Sequence, residues 1–253
     1  MTVRETIEAK QAGWDFHHAD IEELVQKGLT HGYEIEKFPE SVQRALMLAA
    51  YAHEGQRRKL ADMPFLAHPF ETMLIVAEVQ GINIETVGPG TEGEAALIMA
   101  LLHDVDEDSE GRVDIAMIEA FFDARIAAGV ALATRDKQLP FSAYMEKVQS
   151  SHDVMALRVV ATDKSHALTC RIQELYRLES DPVDKFSVTI AEKMAYYTEI
   201  YNALLTTLNR NDRTMLMYRS LIEEYAEQVE TILHIPIDLS NLGAHQVVNS
   251  VVN

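Results

Sequence analysis

The sequence predicts an all-α fold. The 253-residue chain contains only 11 glycines and 7 prolines, which is few for the many turns that a set of short strands would need. Hydrophobic residues make up 47% of the chain, and along most of it they recur at the three- and four-residue spacing of one helix face. The length suits one sizeable core with appended pieces and is too short for three domains.

The first forty residues are predicted to be a helical extension. Segments 2–13 and 20–29 have the pattern of two short amphipathic helices, and Pro39 marks a break before the next helix. From residue 41 to about 56, apolar residues form a helical stripe. The basic residues 57–59 follow directly, so we expect this helix to end in a basic turn.

Three predicted helices carry the polar residues that matter most. Pro69 suits the first helical position, because its missing amide hydrogen would have no partner there, and this places His68 at the cap of a helix that runs to about Gln80. Glu92 to about Asp104 is the most apolar helix and is predicted to be central and buried. Asp153 to Leu178 is predicted to be one long helix.

The other segments are also predicted to be helical. Residues 114–134 form a helix with a break near Asp123 or Gly129, and Ser142 is the N-cap of the piece that follows. The last two predicted helices are separated by a hinge at residues 209–212 and cover about 184–209 and 212–233.

The charge of the chain limits the classes of partner. Forty acidic residues against 22 basic ones give a formal net charge of -18, which opposes binding to nucleic acid or to an anionic membrane. The single cysteine, Cys170, cannot form an internal disulfide. No apolar run approaches the length of a membrane span, and the N-terminus lacks the apolar core of a signal peptide. We therefore expect a cytoplasmic protein with a small-molecule partner, either monomeric or a homo-oligomer.

Two histidines and two carboxylates form the set of residues that points to chemistry: His68, His103, Asp104 and Asp163. The pair His103-Asp104 lies at the polar end of an apolar run, where one helix end can present adjacent ligands. Mixed nitrogen and oxygen ligands suit a divalent ion such as Mn²⁺, Fe²⁺ or Zn²⁺. Closed structural zinc sites usually use thiolates, so the lack of cysteine here favours a catalytic metal site.

Two acids directly after this pair are candidates for proton transfer. If the helix continues past Asp104, Glu107 and Asp108 lie one turn beyond His103 and Asp104 on the same face. Acids at a helix C-terminus are unfavourable unless a cation is close. We interpret Glu107 and Asp108 as catalytic acid–base groups; a solvated helix end is the alternative.

The densest basic run of this acidic chain is Arg57-Arg58-Lys59. Arginine side chains offer forked donors to phosphate and can stack on a base. Favourable placement at a helix C-terminus would explain the run equally well on its own. We predict that these three residues bind the substrate because of the segments that accompany them.

Four segments, in this order, carry a recognisable pattern: His53-Glu54-Gly55-Gln56-Arg57-Arg58-Lys59, Pro64-Phe65-Leu66-Ala67-His68-Pro69, Leu101-Leu102-His103-Asp104-Val105-Asp106-Glu107-Asp108-Ser109 and Ala161-Thr162-Asp163-Lys164-Ser165-His166. The pattern resembles the HD-domain hydrolases of the RelA/SpoT type, including the small stand-alone alarmone hydrolases. It covers roughly residues 41–178.

The resemblance implies a helical HD-domain bundle at residues 41–180, with helical extensions at 1–40 and 181–253. It implies a Mn²⁺ ion and removal of the 3′-pyrophosphate from (p)ppGpp, the chemistry of the stringent response. Carried over by motif, the metal ligands would be His68, His103, Asp104 and Asp163. Glu107 and Asp108 would be catalytic, and Arg58 and Lys59 would meet the nucleotide.

Departures from the family pattern fall where that family contacts the nucleoside. Ala167 stands in place of an asparagine, and Thr169-Cys170 in place of an Arg-Thr pair. Phosphohydrolase chemistry is thus predicted more firmly than guanosine tetraphosphate as the substrate. A related alarmone or a 2′- or 3′-phosphorylated dinucleotide stays open. So do two other classes, a regulatory HD module that binds nucleotide without hydrolysing it and a purely structural helical scaffold.

Overall fold

A computed structural model describes residues 18–58, 62–178 and 189–244. Within these ranges the protein is helical and has no β-strand, so the all-α prediction is confirmed. The extended pairing found there is a single antiparallel bridge between Arg57 and Pro64. The predicted helix at 2–13 and the predicted substrate ligand Lys59 lie outside the described residues.

In chain order the helical elements are α1 (Ala19–Gln26), one 3-10 turn (Ile35–Lys37), α2 (Glu40–Ala52), α3 (Ala67–Gln80), α4 (Glu92–Leu102), α5 (Val105–Asp108), α6 (Ile115–Phe121), α7 (Ala124–Ala133), α8 (Phe141–Ser150), α9 (Val154–Leu178), α10 (Ile190–Leu204) and α11 (Arg213–Leu233). None of these described helices combines the length and the apolar character needed to cross a lipid bilayer.

Short polar side chains start several helices where the sequence places them. The Asp123 carboxylate accepts from the amide of Ile126 at 2.8 Å and begins α7. The predicted break near Asp123 is therefore confirmed, whereas α7 runs unbroken through Gly129. Asp212 likewise caps α11 at the predicted hinge. Each such cap stabilises its helix by about 1 kcal/mol.

Other predicted boundaries were wrong by up to about five residues, the largest difference being at the end of α10, which stops at Leu204 instead of about residue 209. Helix α3 begins at Ala67, so His68 lies within its first turn rather than at the cap. Proline is still tolerated at position 69, because the first four amides of a helix have no partner inside it. Helix α2 ends at Ala52 instead of residue 56, where the chain turns through Gly55 at φ +74°.

Two further boundaries also differ from the prediction. Helix α4 ends at Leu102, and a separate turn, α5, begins at Val105. Ser142 is not the N-cap of α8, because that helix begins at Phe141 after Pro140. Proline fixes the backbone just before the first turn, which makes a serine cap two residues later unnecessary.

Helix α4 forms the centre of the molecule, as its composition predicted. All its residues from Glu94 to Leu102 are buried, and removing a large apolar side chain such as Leu97 from water contributes roughly 1.5–3 kcal/mol. Gly129 lets α7 approach closely, because a Cβ there would lie 2.5 Å from the sulfur of Met99 on α4.

Helices α3, α4 and α9 all pack against one another. His68 lies in the first turn of α3, His103 directly follows α4, and Asp163 lies in the interior of α9. The mutual packing of these three helices is what brings the predicted ligands together. Helix α9 also packs along α11, which supports it from the opposite end of the chain.

Candidate active site

The four predicted metal ligands meet at one buried point. His68 Nε2 lies 3.1 Å from Asp163 Oδ1 and 3.2 Å from His103 Nε2. Asp104 Oδ2 lies 3.3 Å from His68 Nε2 and 3.2 Å from His103 Nε2. His68, His103 and Asp163 are almost fully buried and form a group that could hold a metal ion. The Asp104 carboxylate closes the cluster on its more exposed side.

The donor chemistry of this cluster fits a divalent cation. His103 Nδ1 donates to the carbonyl oxygen of Ala100 at 2.8 Å, so the proton of the neutral ring is on Nδ1 and Nε2 has a free lone pair. Two imidazole nitrogens at 3.2 Å, flanked by two carboxylates, are poorly matched as mutual hydrogen-bonding groups. They are well matched as ligands to one cation.

Without a bound cation, the charges of these groups shift one another's pKa values strongly. Burial by itself would lower the pKa of His103, yet the carboxylates of Asp104 and Asp163 hold that pKa well above its usual value. Burial would raise the pKa of Asp163, but Lys164 and His103 hold it well below the usual range. Lys164 Nζ lies 2.5 Å from Asp163 Oδ2. Asp163 is therefore ionised, with Oδ1 directed at the histidines.

Glu107 and Asp108 lie next to the cluster, and both form ion pairs with Lys137. Lys137 Nζ contacts Glu107 Oε1 at 3.1 Å and Asp108 Oδ1 at 2.8 Å. The amide of Arg135 also donates to Glu107 Oε2 at 3.0 Å. The helix does not continue unbroken past Asp104, but the amide of Asp108 donates to the Asp104 carbonyl at 2.9 Å. One turn therefore links the metal-binding and acid–base candidates.

The first motif supports this acidic turn from the other side. His53 Nδ1 lies 3.0 Å from Gln56 Oε1, and Gln56 Nε2 donates to the Asp108 carbonyl at 2.6 Å. His53 also contacts the Phe65 ring, at 4.6 Å between centroids, and acts through Gln56 on the segment that carries Asp108.

A cavity of about 690 Å³ opens beside these groups. Its walls include His68, the acids Glu107, Asp108 and Glu110, and five basic side chains: Arg57, Arg58, Lys137, Arg171 and Lys193. The whole chain has nearly twice as many acids as bases. A wall in which bases outnumber acids therefore selects for an anionic ligand. A larger cavity, of about 980 Å³, is lined by none of the predicted site residues.

The predicted substrate-binding arginines differ in whether other side chains of the protein already occupy their hydrogen-bond donors. Arg57 is committed to the N-terminal region, since it donates to both carboxylate oxygens of Glu23 at 2.7 and 3.0 Å and to Asp62 at 2.6 Å. Arg58 points to the cavity and contacts the sulfur of Cys170 at 3.3 Å. Cys170 and Ala167, two departures from the family pattern, also line the cavity.

Sequence reasoning missed Lys137, Lys193 and Tyr197, which line the same cavity. Lys137 follows a weak signal, a basic pair in the loop before Pro140. Lys193 and Tyr197 are four residues apart on α10, a spacing too common to indicate a site. Burial, followed by the charges of Arg171 and Lys164, lowers the pKa of Lys193 to about 8. Among the described residues, Lys193 has ring contacts with Tyr196 and Tyr197 but no ion-pair partner.

Comparison with known proteins supports the fold. No protein-family model matches the chain, and no curated protein matches it in sequence. A solved structure of a metazoan ortholog of SpoT, which hydrolyses ppGpp and plays a role in starvation responses, is similar with a TM-score of 0.54. The two chains are 21% identical over 74% of this chain and 96% of that one. This protein therefore has the all-α fold of an HD-domain ppGpp hydrolase, as the sequence predicted.

Proposed function

We propose that this protein is a metal-dependent phosphohydrolase that acts on a phosphorylated nucleotide. The main observation in support of this proposal is that four side chains converge next to a cavity lined by basic residues: His68, His103, Asp104 and Asp163. We further propose that the substrate is (p)ppGpp or a related alarmone, from which the enzyme removes the 3′-pyrophosphate. The shared fold and the four ordered motifs support this choice.

The cluster suits Mn²⁺, although its ligands also accept other divalent ions. When bound, such an ion would supply Lewis acidity that activates water and offsets charge on a phosphoryl oxygen. The protein holds the ligands in place before binding, because three of them are buried on, or directly after, helices that pack against one another.

Glu107 and Asp108 are the proposed acid–base pair. Their carboxylates lie on the turn that follows Asp104 and line the cavity beside His68. Lys137, at 3.1 and 2.8 Å, holds both carboxyl groups in place and offers a positive charge to a phosphate. This arrangement lets a carboxylate take a proton from water while a neighbouring ammonium group stabilises the growing negative charge.

The basic walls of the cavity would bind the phosphates. Arg58, Lys137 and Lys193 reach the cavity from three separate segments, so a ligand with more than one phosphate can contact several of them. Ala167 and Cys170 leave a less polar surface nearby, against which a nucleoside can pack.

The decisive experiment is a turnover assay with a nucleotide panel. Metal-loaded protein would be incubated with ppGpp, pppGpp, the adenosine equivalents and 2′- or 3′-phosphorylated dinucleotides, and released phosphate and pyrophosphate would be measured. We expect Mn²⁺-dependent pyrophosphate release from at least one alarmone. Tight calorimetric binding of a nucleotide that stays intact would instead establish the non-hydrolysing regulatory module.

We expect the charge of Lys193 to affect the pH dependence of turnover. With a pKa of about 8, lowered from its usual value, Lys193 is charged at pH 7 and loses its charge as the pH rises through 8. At pH 9 about one molecule in ten would keep that charge, so kcat/KM should fall about tenfold from this group. Arginine stays charged over this range, so Lys193→Arg should remove this fall.

The pH profiles of the wild type and Lys193→Arg would be compared from pH 7 to 9. The difference between them isolates Lys193 from other titrating groups. Profiles that coincide would show that loss of charge on Lys193 does not limit turnover between pH 7 and 9.

A further inference from the structure

A chain of three buried or half-buried side chains extends from the metal cluster toward the protein surface. His68 Nδ1 lies 2.6 Å from His166 Nδ1, and the two rings are stacked with centroids 4.8 Å apart. His166 Nε2 lies 2.8 Å from Glu71 Oε2. His68 and Glu71 both lie on α3, and His166 lies on α9 one turn beyond Asp163.

The hydrogen-bonding capacity of these groups fixes where the protons lie. A carboxylate can only accept, so Glu71 requires a hydrogen on His166 Nε2. A neutral His166 then has a bare Nδ1, which can only accept. His68 must donate to it from Nδ1, and this leaves the lone pair of His68 Nε2 directed at Asp163 and His103.

The two histidine ligands therefore reach the same tautomer by different means. His103 donates from Nδ1 to the backbone carbonyl of Ala100, an acceptor that no side-chain change can remove. His68 depends instead on two side chains, which substitution can test. An acceptor that takes the hydrogen of the other ring nitrogen orients a histidine ligand in this way and raises its basicity.

The surroundings of Glu71 keep it an acceptor. Burial would raise its pKa, but His166 and His31 lower it, so the carboxylate is ionised at neutral pH. His31 Nε2 lies 3.6 Å from the other oxygen, Oε1. The Cys170 sulfur lies 3.5 Å from His166 Nε2, a longer and weaker contact than the one from Glu71.

We propose that Glu71 and His166 are positioning residues that hold His68 in its metal-binding tautomer. The inference rests on the metal ion of the proposed function and adds a requirement that the ligand set alone does not contain. Neither residue contacts the reacting atoms, so their effect should appear in metal affinity.

The first test is a metal titration. Apo-protein would be titrated with Co²⁺, followed by its visible absorption, for the wild type, Glu71→Leu, Glu71→Gln and Glu78→Leu. We expect Glu71→Leu to raise the Kd by about 10–100-fold and Glu71→Gln, which keeps a carbonyl acceptor, to raise it less. Glu78→Leu makes the same change on an exposed position of α3 and should match the wild type.

A second variant guards against misfolding. His166→Phe keeps a ring against His68 but removes both nitrogens, and it should weaken Co²⁺ binding at least as much as Glu71→Leu. Thermal melts followed by circular dichroism would show that each variant is folded.

The second test reads the tautomer directly. Long-range proton–nitrogen NMR spectra of the Zn²⁺-loaded wild type should show His166 protonated at Nε2 only, and Glu71→Leu should lose that preference. A hydrogen on His166 Nδ1 in the wild type, or Co²⁺ affinity unchanged in both variants, would overturn the inference. A wild type that binds metal normally but hydrolyses nothing would count against the proposed function alone, whereas one that binds no metal would overturn both.

Discussion

Replacing His103 with glutamine is expected to abolish both metal binding and hydrolysis. His103 is 1% exposed, and its Nε2 lies within 3.4 Å of ligand atoms from His68, Asp104 and Asp163. Changes to groups that merely support a ligand cost about 10–100-fold in metal affinity, so loss of the ligand itself should exceed about 100-fold. Bound metal would be measured by elemental analysis after gel filtration, together with pyrophosphate release.

A matched control is His152→Gln, which makes the same change at an exposed position in the loop before α9. It should keep the metal content and turnover of the wild type. If His103→Gln bound metal and turned over substrate as well as His152→Gln does, the metal cluster would not be the active site.

Replacing Glu107 with glutamine should separate catalysis from metal binding. The change is isosteric, and Lys137 keeps its contact with Asp108 at 2.8 Å, so the local structure should survive. If Glu107 transfers a proton, kcat should fall by roughly 10²–10⁴-fold, while the Kd for Mn²⁺ stays close to that of the wild type. Steady-state kinetics at saturating metal, together with a metal titration, would measure both effects.

Glu110→Gln provides the control for this change. Glu110 lines the same cavity and carries the same charge, but it lies beyond the turn that joins Asp104 to Asp108. Its removal should alter kcat by only a few-fold. Equal losses from Glu107→Gln and Glu110→Gln would indicate a general effect of charge in the cavity instead of proton transfer.

These two predictions matter because the fold by itself does not assign the chemistry. The similarity to the SpoT ortholog, at 21% identity, establishes the arrangement of helices. One fold can support different functions, so the activity must be argued from the site. His103→Gln tests metal binding, and Glu107→Gln tests the hydrolytic step.

Local sequence patterns determined the helices of this protein and the order of its chemical groups. The apolar composition of residues 92–104 predicted α4 as the buried central helix, and the helical pattern of residues 153–178 predicted α9 as one long helix. Asp123 lies at a predicted helix break and Asp212 at the predicted hinge, and in the structure each caps the helix that follows, because a short carboxylate can accept from a nearby amide. The four motifs supplied the types of ligand.

Only the tertiary structure decided which of these groups meet. His68 and Asp163 are 95 residues apart in sequence, yet His68 Nε2 lies 3.1 Å from Asp163 Oδ1. No local periodicity of the sequence can predict such a contact. Packing also separated two residues that the sequence treats alike, since Arg57 is paired with Glu23 and Asp62 while Arg58 faces the cavity. Lys137, Lys193 and Glu71 gained their roles in the same way. Their sequence neighbourhoods are ordinary, and their significance comes from the fold, which brings distant charged groups within a few ångströms of one another or into one cavity.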